Sequence, residues 1–432
     1  MKLNKKRTLL IASAFFAILM LWQIYYFYVP LYLESLLENE YGFQGTDFYK
    51  DIIGHIMSLD NLAAILIIPL FGWLSDHTRT RNGRRIPYII WGMVLSLALF
   101  PLVSAMFLLN KFMWYFITVI ALVVAMAAFR APAVSLMPDT TPKPLRTSAN
   151  AIINFIGYLG AILGAGLTII FTMQNETLTL IPFAITSVVM MLVIVALLLR
   201  FNENHTVAKM QPLLAQGESQ SDTHGAIEPG RKLTHIDKRN FGIIIGTVFL
   251  CFFAFNALQT FASLYGSYLG TTQIGLATTT LAIASLVTFI PTIWLTRILG
   301  RKWSTALGLA VVLGALIYAA TQITAFGPLL ITMFGVAGMG FAIVMVNAYP
   351  MFIETASSQN VGRITGLYYL VSQLAMFITS NVSGYVFKWL GMGAYFWYAI
   401  IFISAALFLV LFFQPRKRHF KKFKPCREWP ST

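Results

Sequence analysis

Apolar stretches of membrane-spanning length recur along this chain, and no other feature restricts its fold as much. Windows of roughly twenty apolar residues fall at 8–32, 50–74, 87–109, 112–137, 148–173, 179–200, 241–268, 273–296, 304–325, 328–353, 364–388 and 393–413. Inside hydrocarbon every backbone polar group must be satisfied within the segment itself, which a helix of this length does. The expected fold class is therefore an all-α membrane protein with twelve transmembrane helices. With 58% hydrophobic and 11% charged residues, a soluble domain is excluded.

Charge placement then sets the topology. Of the 31 Lys and Arg residues, all but Lys50, Lys111, Lys388 and Arg130 fall on segments that a single orientation places in the cytoplasm, both termini included. The net charge of +15 is thus spent on topology, and no nucleic acid is expected as a partner. Residues 1–200 and 241–413 form two six-helix halves, 201–240 a polar cytoplasmic linker containing Glu228-Pro229-Gly230, and 414–432 a basic tail. Arg416-Lys417-Arg418 and Lys421-Lys422 in that tail suit anionic headgroups. Glu34, Glu38, Glu40, Asp47, Asp51 and Glu176 on the outer side read as a solvated rim, and His55 as a hydrated interfacial side chain. Lys2, Lys5, Lys6 and Arg7 precede an apolar run without a small-residue cleavage site, so the first span is read as uncleaved. Cys251 and Cys426 lie too far apart to pair.

The loop between the second and third windows is distinctive: Gly72-Trp73-Leu74-Ser75-Asp76, then Arg79, Arg81, and Gly83-Arg84-Arg85-Ile86-Pro87. Gly72 would let helix backbones approach closely, Asp76 could accept from a neighbouring helix N-terminus, and Pro87 suits a first helical turn. This pattern resembles the corresponding loop of the major facilitator superfamily. Its Ser-Asp and Gly-Arg-Arg-x-Pro version looks most like plant sucrose transporters and the related animal and bacterial proton–sugar carriers. The segment Arg130-Ala131-Pro132 through Asp139, followed by Arg146 and Ala149-Asn150-Ala151, resembles the same branch, although Arg130 stands one helical turn deeper than in the family. The resemblance implies two pseudo-symmetric six-helix halves that rock around a substrate held near the midplane.

An internal repeat agrees with two halves. Asp139 and Glu354 each end a span, and Arg146 and Arg363 each open the next. Gly72, Asp76, Gly83, Arg84, Arg85, Asp139, Arg146, Glu354 and Arg363 form the expected cytoplasmic gate, with acids and arginines pairing between halves. Asp60 and Arg130 are charged residues within spans, a placement that marks function by default. By helical rise Asp60 lies about 14 Å from one end of its span and Arg130 about 10 Å from the opposite end of its own, so both are near the middle. Alternate contact and separation of this pair, with Asp139 nearby, is the expected proton-coupling device.

Sugar recognition needs neutral hydrogen-bonding groups together with aromatic faces. Gln23 and Tyr26 share a face of the first span beside Trp22 and Tyr25, and Asn256 and Gln259 repeat that spacing in the seventh. Asn150, Asn154 and Tyr158 share a face of the fifth, and Asn347 and Gln373 sit in the tenth and eleventh. These nine residues are the expected substrate set. No phosphate-cradling Gly-Lys-Ser/Thr loop and no Cys/His spacing suited to a metal occurs, so no ATP-driven pump, enzyme, cofactor or metal site is expected. The expected protein is a monomeric, multi-pass carrier of the cell membrane that imports a sugar, a disaccharide or glucoside, with protons. A sodium-coupled carrier of the melibiose type, a drug exporter and a non-transporting solute sensor are the alternatives.

Overall fold

Long apolar windows become helices here with little help from capping, because burial in lipid and in the bundle supplies what short helices in water lack. The computed structural model describes residues 4–42, 49–141, 143–172, 176–204, 206–208, 235–354 and 361–414. The first half holds α1 (Lys5–Tyr41), α2 (Lys50–His77), α3 (Ile86–Leu108), α4 (Phe112–Thr140), α5 (Lys143–Ile170) and α6 (Leu180–Arg200). The second begins with α7 (His235–Thr260), continued after a break at Phe261 by the short α8 (Ala262–Tyr268).

A continuous helical stretch of 49 residues, Ile274–Gln322, follows. At the helical rise it would be about 74 Å long, more than twice the hydrocarbon thickness of roughly 30 Å. Gly300 resolves this with φ 77 and ψ 162, a left-handed break that divides the stretch into α9 (274–299) and α10 (301–322). α11 (Pro328–Glu354), α12 (Val361–Leu390) and α13 (Tyr395–Leu411) complete the chain. Among the described residues eleven helices are long and apolar enough to span a membrane, and the Gly300 break makes twelve spans of them. The windows hold, with ends shifted: α1 runs on to Tyr41 and α7 starts at His235, inside the stretch expected as linker. Residues 415–432 lie outside the description, and Cys426 with them; Cys251 is buried in α7.

Two cross-half packings position the site. α2 lies against α12, and α5 against α9. α2 and α12 meet where their backbones nearly touch: a methyl added at Gly384 would sit 2.7 Å from the Lys50 carbonyl oxygen and 3.0 Å from Asp51 Cα. Lys388 Nζ reaches Asp51 Oδ2 at 2.8 Å, so Asp51 is paired across the halves and not part of a solvated rim. His55 is exposed, as expected of an interfacial side chain, and also meets the second half: Nδ1 hydrogen-bonds the Asn381 side-chain oxygen, and Nε2 lies 3.1 Å from the Tyr385 hydroxyl. Glu34 and Glu38 both accept from the Tyr49 hydroxyl. This end of the bundle, remote from the 78–85 loop, is sealed by contacts between halves.

Candidate functional site

Between the halves lies a cavity of about 450 Å³, large enough for a small sugar and its first waters. Trp22, Gln23 and Tyr26 of α1 and Tyr158 of α5 line one side, and Gln259 of α7 the other, together with Phe252, Phe255, Phe289 and Phe341. Tyr158 and Phe289 hold the halves together across it, with ring centroids 5.6 Å apart. Four of the nine expected substrate residues, Gln23, Tyr26, Tyr158 and Gln259, therefore meet at one cavity.

The remaining five are placed elsewhere. Asn150 and Asn154 are exposed and lie on the α5 face that carries Tyr158, which extends that face from the cavity toward the 78–85 loop. Asn256 is buried and accepts from Ser380 Oγ at 2.8 Å, so it fastens α7 to α12. Asn347 accepts from Thr296 Oγ1 at 3.0 Å and donates to the Ile343 carbonyl at 2.8 Å, joining α9 to α11. Gln373 is half-buried and is not among the cavity-lining residues. Asn and Gln at helix contacts use their hydrogen bonds on neighbouring helices, and residue type alone does not separate that use from ligand binding.

Asp60 is 4% exposed and stands directly behind the cavity wall. Its Oδ2 accepts from the Tyr26 hydroxyl, and Oδ1 accepts from both Asn61 N and Asn61 Nδ2 at 2.6 Å. Tyr26 stacks on Trp22 with centroids 5.5 Å apart and planes 26° apart. On Trp22 sits Arg130, with Cζ 5.9 Å from the ring centroid. Arg130 has no hydrogen bond or ion pair among the described residues, so the expected Asp60–Arg130 contact is absent in this conformation. In its place Trp22 and Tyr26 connect cation to carboxylate through a stack.

Asp139, expected near the coupling pair, stands apart from Asp60 and is not among the cavity-lining residues. Its Oδ2 meets Arg84 Nη2 at 2.8 Å and Arg85 Nε at 3.0 Å, so two guanidiniums hold its side chain at the end of α4. Asp76 joins the same cluster through Arg85 Nη2 at 2.5 Å. These pairs all lie within the first half, whereas acid–arginine pairs between halves were expected. The reason is proximity: Arg84 and Arg85 precede α3 immediately and reach α2 and α4 at once. The side chains of Arg146, Glu354 and Arg363 lie outside the description.

Two further gate residues act otherwise than expected. A methyl at Gly72 would meet only Ala131 Cβ, at 3.9 Å, so no close helix approach depends on it; its carbonyl instead accepts from Ser75 and Arg85. The helix N-terminus that Asp76 was expected to satisfy belongs to Glu203, which the sequence did not single out. Glu203 is 1% exposed, and its Oε2 accepts from Arg85 N at 2.8 Å and Ile86 N at 3.0 Å. Gly83, at φ +116, leaves room for that side chain, and Asn204 donates to the Thr80 and Arg81 carbonyls. Removing the carboxylate strands two buried donors, at about 2 kcal/mol. Glu203→Ala is accordingly expected to lower the melting temperature in detergent by several degrees, and an unchanged melt would show that the clamp carries no stability.

The sequence matches the profile of the Major Facilitator Superfamily over residues 11–272 and 244–428. It is 28% identical over 138 residues to the isoprimeverose transporter of Lactiplantibacillus pentosus, a stretch covering 31% of this chain and 28% of that protein. Among solved structures it is similar to the xylose transporter XylE of E. coli in a partially occluded inward-open conformation, with TM-score 0.67 and 14% identity over 94% of this chain and 97% of that one. The nucleoside transporter NupG gives TM-score 0.67 and 13% identity over 94% and 98% of the two chains. At these identities the likeness is one of fold.

Proposed function

The chain belongs to the Major Facilitator Superfamily, a family of membrane transporters and not of enzymes, and on that premise we propose that it imports a sugar with protons by alternating access. One observation carries the reading: Asp60, buried at membrane depth, is hydrogen-bonded to Tyr26, and Tyr26 lines the cavity between the halves. A buried carboxylate without an ion pair is destabilised when charged, and a proton removes the charge. Gln23, Tyr158 and Gln259 supply hydrogen-bonding groups for sugar hydroxyls, with Trp22 and the phenylalanines as faces for the ring. The isoprimeverose transporter among the relatives supports a glycoside as substrate.

Lys and Arg placement supports cytoplasmic termini, and the reading takes the membrane to be that of the cell. Residues 1–200 and 241–413 are then the rocking halves, with 201–240 as linker and 414–432 as tail. The end sealed by Asp51–Lys388 and His55 becomes the outer one, so the conformation described is inward-facing. Asn150 and Asn154 line the way from the cavity to the cytoplasm. Arg84, Arg85, Asp76 and Asp139 brace the inner end of the first half, and Arg146, Glu354 and Arg363 are the candidates for closing it against the second. Arg130 approaches Asp60 when the stack between them rearranges.

The test is uptake by reconstituted protein of radiolabelled isoprimeverose, sucrose and maltose under an imposed inward proton gradient, with and without sodium. Accumulation driven by protons alone is expected. Accumulation that requires sodium would overturn the coupling ion, and no uptake or counterflow of any of the three would overturn the substrate class.

A further inference from the structure

The hydroxyl of Tyr26 faces two claimants. It donates its one proton to Asp60 Oδ2, while the tyrosine ring forms part of the cavity wall beside Gln23 and Trp22. Resting on the proton–sugar reading above, we propose that Tyr26 is the coupling residue: its hydroxyl proton is given either to Asp60 or to a sugar hydroxyl, and this exclusive choice makes sugar and proton bind together.

In the conformation described, Asp60 accepts three donors, Tyr26 Oη–H, Asn61 N–H and Asn61 Nδ2–H, a pattern that suits a carboxylate acting only as acceptor. A sugar hydroxyl that draws the Tyr26 proton toward itself leaves the buried carboxylate one donor short, which is unfavourable at that depth. A proton taken up by Asp60 repairs the loss. The carboxylic acid then donates to Tyr26 Oη, and Tyr26 donates to the sugar, giving a chain Asp60 O–H···Oη–H···O in which each bond strengthens the next. No bond to carbon changes, and the one proton added comes from the aqueous side. Linkage is reciprocal: if sugar raises proton affinity, the proton raises sugar affinity equally.

The other titratable or charged groups that face Asp60 are Tyr25 of α1 and Arg130 of α4. Tyr25 is fully buried and does not line the cavity, so it cannot meet the sugar. Arg130 donates no hydrogen bond to Asp60 among the described residues and instead stands over the Trp22 ring, its Cζ 5.9 Å from the centroid. Tyr26 alone among them touches both sides.

Binding of isoprimeverose, or of sucrose if that is the panel sugar that exchanges, is measured on the purified full chain across a pH series. One linked proton makes the wild-type Kd rise about tenfold per pH unit above the pH at which Asp60 releases its proton. Tyr26→Phe is expected to flatten that slope to within about twofold over the series, whatever it does to the Kd itself, with Tyr26→Leu as a second hydroxyl-free variant. In Asp60→Asn the amide can donate to Tyr26 permanently, so tight binding at every pH is expected. A Tyr26→Phe protein that keeps the tenfold slope, with Kd merely shifted uniformly, would reduce Tyr26 to a wall residue and overturn the inference while the symport reading stands. A wild-type protein without any slope, or without binding, would remove the symport reading itself.

Discussion

Asp60→Asn protein in proteoliposomes is expected to exchange sugar by counterflow at a rate close to wild type and to accumulate none against a gradient. The amide matches the carboxyl in shape and keeps the hydrogen bonds with Tyr26 and Asn61, so the cavity wall behind which Asp60 stands is preserved. What it cannot do is gain and lose a proton. An imposed gradient of one pH unit is worth about 1.4 kcal/mol per proton and supports roughly tenfold accumulation in a one-proton symporter. That ratio is expected to fall to about one in the variant. Uphill uptake retained by Asp60→Asn would move the proton site elsewhere in the protein. The absence of an ion pair with Arg130 in this conformation strengthens the expectation, because a carboxylate already neutralised by a guanidinium would have no need of a proton.

What the sequence revealed followed from the length and periodicity of its apolar stretches. Twelve spans were legible, and even the 49-residue helix had its break foreshadowed by Gly300 between Leu299 and Arg301. Gln23, Tyr26 and Asp60 were legible because polar residues inside a span are rare enough to carry information. Partner choice was not. Asp76 and Asp139 were expected to reach across the halves; in this conformation they pair with Arg84 and Arg85 at the entry to α3. Asn256 and Asn347 carry the same side chain as Asn150, yet hold helices together, since rotation of a helix by a few tens of degrees decides whether an amide faces a neighbour or a cavity. Glu203 gave no signal, lying in a polar linker where acids are ordinary. Lys388 and Asp51 do leave a trace in the sequence, a basic and an acidic residue at the same end of two different spans.

The same sealed end supplies the second large effect. Gly384→Leu puts a Cβ 2.7 Å from the Lys50 carbonyl oxygen, where backbone and not a flexible side chain must give way, and the rest of the leucine adds to the overlap. Overpacking of this kind amounts to about 1–3 kcal/mol in well-packed interiors. It falls only on the state in which α2 and α12 touch, since a conformation open at that end needs no contact there. A differential of that size shifts the balance between the two states by roughly 5- to 150-fold, and transport, which must visit both, is expected to drop by about the same factor. Ser58 reports the shift directly: it lies one turn deeper than Gly54 on the face of α2 that meets α12, is 2% exposed, and hydrogen-bonds only within its own helix, to the His55 carbonyl. Cysteine placed there, with a membrane-impermeant maleimide applied from outside, is expected to react slowly in the parent and rapidly in the Gly384→Leu background. Slow labelling together with normal transport would mean that α2 and α12 tolerate the side chain, and that closure at this end does not depend on backbone contact between them.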